Sequence, residues 1–170
     1  MQYDEIIKAR YSVRSFTGQV VEDEKLEALF EAARVAPTAA NRQPVRILAA
    51  KSDEALAAVD EATQCRFGAK LVLIVLGNTE TCWFRRFDGA KSNEVDASIV
   101  ATHMMLKAVE LGLGTTWVMH FDPKVISEKF ELPANLVPVA LLPTGYPSPE
   151  SKPNDNHFKR INIGELVEYR

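Results

Sequence analysis

The chain has 170 residues, 46% of them hydrophobic and 25% charged, with a formal net charge of -3 and a pI near 5.7. That length and apolar content suit one domain over residues 1–170, burying roughly 68–70% of its unfolded surface. The mild acidic balance argues against nucleic acid or an anionic membrane as the main partner, since both select a basic excess.

In chain order the pattern predicts a helix at about 3–9, preceded by nothing that resembles a signal peptide. Gln2-Tyr3-Asp4-Glu5 is polar and acidic where an apolar run would be needed. A second helix is predicted at 22–36, with Leu26, Leu29, Phe30 and Ala33 on one face and Glu22, Asp23 and Glu24 in its first turn, stopping before Pro37. A strand at 45–50, a helix at 53–63 and a strand at 71–77 follow. Leu71-Val72-Leu73-Ile74-Val75-Leu76 is apolar without alternation, as a strand covered on both faces should be, which implies helices on either side of a sheet.

After an irregular stretch through Gly89, a long helix is predicted at 94–111, then a strand at 115–119, a short helix at 123–130 and a strand at 137–143. On the long helix Val95, Ile99, Thr102, Leu106 and Val109 mark one face, while Val100, Ala101, Met104, Met105 and Ala108 leave the opposite side apolar too. Such a helix calls for burial all round, either against a second subunit or at the centre of a monomer. The tail from Pro147 to Asn156 reads as a surface loop or extended arm. No run is long enough for a membrane span, and Cys65 and Cys82 match neither a CxxC pair nor a zinc-ligand set. Reduced thiols in a cytoplasmic protein are the expectation, with no metal site.

Three stretches carry chemistry. Arg10-Tyr11-Ser12-Val13-Arg14 sets two guanidiniums four residues apart at the end of the first predicted helix, which suits a phosphate or another anion that accepts forked hydrogen bonds. The plainer alternative is a pair of surface charges partnered by Asp4 and Glu5. Pro37-Thr38-Ala39-Ala40-Asn41-Arg42-Gln43-Pro44 offers a hydroxyl and two carboxamides between stiffening prolines, which can read the polar edge of a flat heterocycle or simply order a turn. The third, Thr81–Gly89, holds three aromatics and two arginines, with Trp83, Phe84 and Arg85 as candidate substrate contacts. It is either a lid that selects a flat, negatively polarised substrate or a packed surface loop. Gly112-x-Gly114 lacks the third glycine of a dinucleotide fingerprint and follows a helix, and no motif for phosphoryl transfer, zinc proteolysis or serine hydrolysis is present.

These stretches resemble, in order, the nitroreductase family of FMN-dependent oxidoreductases. The likeness also takes in Asp96-Ala97-Ser98-Ile99 opening the long helix, Gly112-Leu113-Gly114-Thr115-Thr116-Trp117-Val118 after it, and Gly145-Tyr146-Pro147 before a basic segment. It spans nearly the whole chain and implies an α+β, three-layer α/β/α fold with a central mixed, largely antiparallel sheet flanked by helices. It further implies a homodimer with the long helix at its centre and FMN at the subunit interface.

By that resemblance Arg10 binds the FMN phosphate with Ser12 assisting. Arg14 lies near the N1 and C2 carbonyl edge of the ring, where a fixed cation stabilises the charge of the reduced flavin. Pro37, Thr38, Asn41 and Gln43 reach the ribityl chain and ring from the partner. Met119 and His120 match the segment whose backbone faces flavin N5, His120 through its main chain. Gly145 is assigned to the cofactor or only to the turn into Pro147, and Lys159 and Arg160 to the phosphate or to an exposed basic pair. Thr38 replaces the family's usual serine and keeps the hydroxyl, while Val45 stands where many relatives have an aromatic residue.

The implied activity is ping-pong, with NADH or NADPH delivering hydride to flavin N5 and a small electron-poor acceptor, such as a nitroaromatic or quinone, reduced in the same place. The cofactor carries that chemistry, so no catalytic side chain is required. The alternatives are another flavin reaction such as reductive dehalogenation, or a flavin-binding protein without turnover.

Overall fold

The computed structural model describes residues 2–170. Its elements run α1 (Tyr3–Ala9), α2 (Asp23–Arg34), β1 (Val45–Ala50), α3 (Asp53–Ala62), β2 (Leu71–Asn78), α4 (Asn93–Glu110), β3 (Gly114–Thr115), α5 (Pro123–Lys129), β4 (Leu136–Gly145) and α6 (Ile163–Leu166). Two 3-10 turns, Ala39–Asn41 and Asp155–Phe158, lie in the connections.

Strand alternation builds two cores on the two faces of β2. Leu71, Leu73 and Val75 join Leu26, Leu29, Val100, Ala101 and Met104 on the α2/α4 side. Val72, Ile74 and Leu76 join Leu56, Val59 and Ile126 on the α3/α5 side. All six of these β2 side chains are at most 3% exposed, and each such burial stabilises by roughly 1.5–3 kcal/mol. The result is the expected three-layer α+β arrangement.

The sheet runs in the order β1-β2-β4-β3, and every neighbouring pair is antiparallel. Its mixed character is therefore narrower than expected: the parallel contact among the described residues is an isolated bridge between Ser12 and Thr115. The strand expected at 115–119 is also shorter. Thr116 donates to the Pro143 carbonyl at 3.3 Å, but Pro143 has no N–H to return, so the ladder lapses until Val118 and Leu141 bond reciprocally.

Helix α4 does not bury all round in one chain. Val100, Ala101, Met104, Met105 and Ala108 face the core, while Val95 is 60% exposed and Ile99 and Leu106 line an open groove with Tyr3. Within one chain, then, one face of that helix stays exposed. Its C-terminal carbonyl at Leu111 accepts from Lys25 Nζ at 2.9 Å, a cation where the helix dipole favours one. At its other end Gly77 lets β2 pass close, since a Cβ there would come within 2.8 Å of the Asn93 carbonyl oxygen.

Beyond β4 the chain runs back along the segment that follows α1, with Ser148 donating to the Ser15 carbonyl, and further on Phe158, Ile161, Ile163, Leu166 and Tyr169 are all exposed. Among the described residues no helix is long and apolar enough to cross a membrane.

Candidate functional site

Helix α1 ends at Ala9, and Arg10 turns the chain into an extended conformation with φ -61° and ψ 124°. In extended backbone alternate residues share a face, so Arg10, Ser12 and Arg14 line up while Val13 points inward at 1% exposure. The segment is held along its length. Val13 donates its N–H to the Thr115 carbonyl at 3.0 Å, Thr17 to Tyr146 at 2.9 Å, and Ser148 to Ser15 at 3.0 Å. The Tyr11 hydroxyl bonds the Ser151 hydroxyl at 3.1 Å. A Cβ on Gly114 would overlap Val13, so the absence of a side chain there is what lets the segment seat against β3.

Arg10, Ser12 and Arg14 form one wall of a cavity of about 330 Å³ completed by Asn154, Asn156, His157 and Arg160. No carboxylate lines it, and among the described residues Arg10, Arg14 and Arg160 take part in none of the ion pairs. Asp4 and Glu5 do not serve them; the Glu5 carboxylate instead accepts the Gln2 N–H at 2.8 Å. Three guanidiniums with no carboxylate partner, an imidazole and two carboxamides around one cleft form a donor set that fits a phosphate dianion. Just beneath, Thr115 is 2% exposed and its hydroxyl has no hydrogen-bond partner among the described residues.

The Pro37–Pro44 loop lies elsewhere. Ala40, Asn41 and Gln43 adopt left-handed backbone with φ of 50°, 52° and 51°. Conformations of that kind cost roughly 1–2 kcal/mol per non-glycine residue, with asparagine the most tolerant. The loop holds its shape partly by itself, because Thr38 Oγ1 accepts the Gln43 N–H at 3.0 Å. It is tied to the body at two points: the Pro44 carbonyl accepts the Asn78 N–H at 2.7 Å, and Asp96, 1% exposed, accepts the Ala39 N–H on Oδ1 at 2.8 Å. Thr38 and Gln43 open on a cavity of about 350 Å³ bounded by Phe30, Arg34, Arg46 and Val100. Within one chain, then, the two halves of the expected site line separate cavities.

The family model described as "Nitroreductase family" matches residues 7–72 and 62–146. This chain belongs to the nitroreductase family. A nitroreductase family protein of Clostridium difficile has 40% identity and a TM-score of 0.93, covering 99% of this chain and 98% of that one. A curated protein of Methanothermobacter thermautotrophicus, with the provisional name NADH dehydrogenase/NAD(P)H nitroreductase, is 28% identical over 153 residues, 85% of this chain and 76% of the relative. In fold the chain is also similar to a provisional nitroreductase of Exiguobacterium sibiricum, solved in complex with FMN, at a TM-score of 0.86 with 21% identity, covering 100% and 98% of the two chains.

The other residues that the nitroreductase pattern singles out are scattered. Met119 is 71% exposed and, with His120, borders a cleft lined by Asp60, Glu61 and Asp122, away from the arginine cavity. The His120 carbonyl accepts from the Thr63 hydroxyl at 2.6 Å, so its main chain is anchored while its ring is exposed. Gly145 packs against the Phe16 ring rather than lining the cavity. Arg160 lines it and the exposed Lys159 does not.

The Thr81–Gly89 stretch is an ordered hairpin in which Phe84 bridges Lys91 and Arg85 donates to the Ala90 carbonyl at 2.8 Å. Arg85 forks onto Asp88 at 2.8 and 2.6 Å and holds that carboxyl below its ordinary value. Its charge is thus engaged within the hairpin, whereas Arg86 makes none of the ion pairs among the described residues.

Sequence reasoning missed Asn154, Asn156 and His157 in the arginine cavity. The signal was present in the cluster of polar residues just before Lys159, which reads as arm because nothing local says what it faces.

Proposed function

We propose that this chain is an FMN-dependent NAD(P)H oxidoreductase of the cytoplasm, one domain per subunit, working as a homodimer on an electron-poor acceptor such as a nitroaromatic or quinone. The observation that carries the reading is the cavity that Arg10, Arg14 and Arg160 line with no carboxylate in the lining. A retained dianionic phosphate is the ligand such a set stabilises, with Arg10 and Arg160 on the phosphate and Ser12 assisting. Arg14, whose Nη1 is steadied by the Ser12 carbonyl at 3.3 Å, supplies a fixed positive charge toward the flavin's pyrimidine edge. When bound, FMN supplies the hydride chemistry, accepting from NADH or NADPH and passing the reducing equivalents to the acceptor.

The separation of the two half-sites favours a site completed by two chains, with Pro37, Thr38, Asn41 and Gln43 contributed by the partner. The exposed apolar face of α4 and the exposed side chains of the C-terminal arm provide surface for that association. Met119, His120 and Gly145 belong to the same reading as main-chain contributors, with Lys159 adding long-range charge and the hairpin at Trp83, Phe84 and Arg85 acting as a lid.

Purified protein tests this directly. Retained yellow colour with an FMN spectrum, bleached anaerobically by NADH or NADPH, is the expected result. Flavin that binds but is reduced by neither nucleotide would favour a carrier. A colourless monomer that ignores added FMN would sink the proposal.

A further inference from the structure

Asp96 is a buried carboxylate that no step of the proposed chemistry uses. It sits in the first turn of α4, 1% exposed, with none of the ion pairs among the described residues, stabilised by the positive end of the helix and by two hydrogen bonds. Those two bonds run in different directions. Oδ1 accepts the Ala39 N–H at 2.8 Å, and Oδ2 accepts the Ser92 hydroxyl at 2.7 Å. The Ser92 oxygen in turn accepts the Trp83 N–H at 3.1 Å, and the Ser92 N–H donates to the Trp83 carbonyl at 2.9 Å.

Ser92 stands at the N-cap of α4, yet its side chain makes no capping bond. A serine there ordinarily caps its own helix. Here the hydroxyl instead joins the Asp96 carboxylate of that first turn to the Trp83 N–H. One carboxylate therefore ends a chain of bonds that ties the left-handed Ala39–Gln43 loop to the aromatic hairpin at Trp83. These are the two loops that the proposed function places on the flavin and over the substrate.

We propose that Asp96 is a positioning residue shared by both loops. It fixes the Ala39–Gln43 backbone in the shape that meets the cofactor and, through Ser92, sets the position of the Trp83 hairpin, so that loss of its carboxylate loosens both loops. The functional half of this inference rests on the flavin reading; the mechanical half does not.

Site-resolved amide hydrogen exchange on the full-length protein, followed by FMN titration, separates the two. Asp96→Ala removes both acceptor oxygens. It is expected to speed exchange at both Ala39 and Trp83 by tenfold or more, leave the amides of Val72–Val75 in β2 unchanged, and weaken FMN retention at least tenfold. Ser92→Ala is expected to speed exchange at Trp83 while Ala39 keeps its parent rate. An unchanged rate at either loop in Asp96→Ala, or a rise that extends equally to β2, would overturn the proposal. Should Asp96→Ala not fold, a parent-like Trp83 rate in Ser92→Ala would overturn it instead. Loosening of both loops in a protein whose parent binds no FMN supports the shared anchor and refutes the flavin reading.

Discussion

Gly114 and Val13 are in such close apposition that a Cβ on the glycine would overlap the Val13 Cγ2 methyl and approach its Cβ to 2.9 Å. Val13 lies between Ser12 and Arg14, so the contact in the core sets the aim of the polar face outside it. Gly114→Ala must push the segment away from β3, and overpacking of this kind costs about 1–3 kcal/mol. The expected result is a lower urea midpoint together with weakened FMN binding. Parent-like affinity in a destabilised variant would mean that the Arg10–Arg14 wall does not depend on this seat.

The two arginines of that wall are expected to fail differently. A charge-assisted hydrogen bond to phosphate is worth about 1.5–3 kcal/mol, so Arg10→Ala should weaken FMN retention roughly 10- to 150-fold with little change in flavin potential. Arg14→Ala should lower the potential and slow reduction by the nicotinamide while most of the flavin stays bound. Equilibrium dialysis and a spectroelectrochemical titration distinguish them. Identical behaviour in both variants would remove the division of roles.

Which parts of the molecule were readable follows from how local their causes are. The unbroken apolar run Leu71–Leu76 announced a strand covered on both faces, and it is. The apolar character of α4 on both sides left open whether a second subunit or the same chain would cover it, and within this chain one face stays exposed. Arg10 and Arg14 were recognisable as a pair, but the backbone that aligns them is extended rather than helical, because Arg10 breaks from α1. Left-handed backbone at Ala40 and Gln43 left no trace in residue type, since neither favours φ near 50°. The Asp96 bond to Ala39 joins positions 57 residues apart, and the short helix α6 has no buried residue to mark it.

The orphan hydroxyl of Thr115 offers a stability test inside the same region. An unsatisfied buried hydroxyl costs about 1–3 kcal/mol of lost hydration, and valine fills the same volume without it. Thr115→Val should therefore raise stability by about 1 kcal/mol, or roughly 2–4 °C in Tm for a chain of this size. Calorimetry on the flavin-free protein reads this. A lower Tm would show that the hydroxyl has a partner, such as an ordered water.

Part of the protein's acid sensitivity should trace to the cluster at the C-terminal end of α4. Tyr146 donates to the Glu22 carboxylate at 2.5 Å and accepts from Lys25 Nζ at 2.7 Å. The tyrosine bond is the main reason that the Glu22 carboxyl lies below its ordinary 4.5, with its own backbone and Lys25 adding to the effect. A carboxyl depressed in the folded state adds stability that is present above the unfolded value and disappears as pH falls through the folded one. Tyr146→Phe removes the largest cause but leaves Lys25 on the Leu111 carbonyl. The urea midpoints of parent and variant should therefore differ most above pH 4.5 and draw together as the solution is acidified through the depressed Glu22 value. A gap of constant size down to pH 3 would mean that the tyrosine acts through packing alone, and Glu22→Gln should close the gap in the same way at neutral pH.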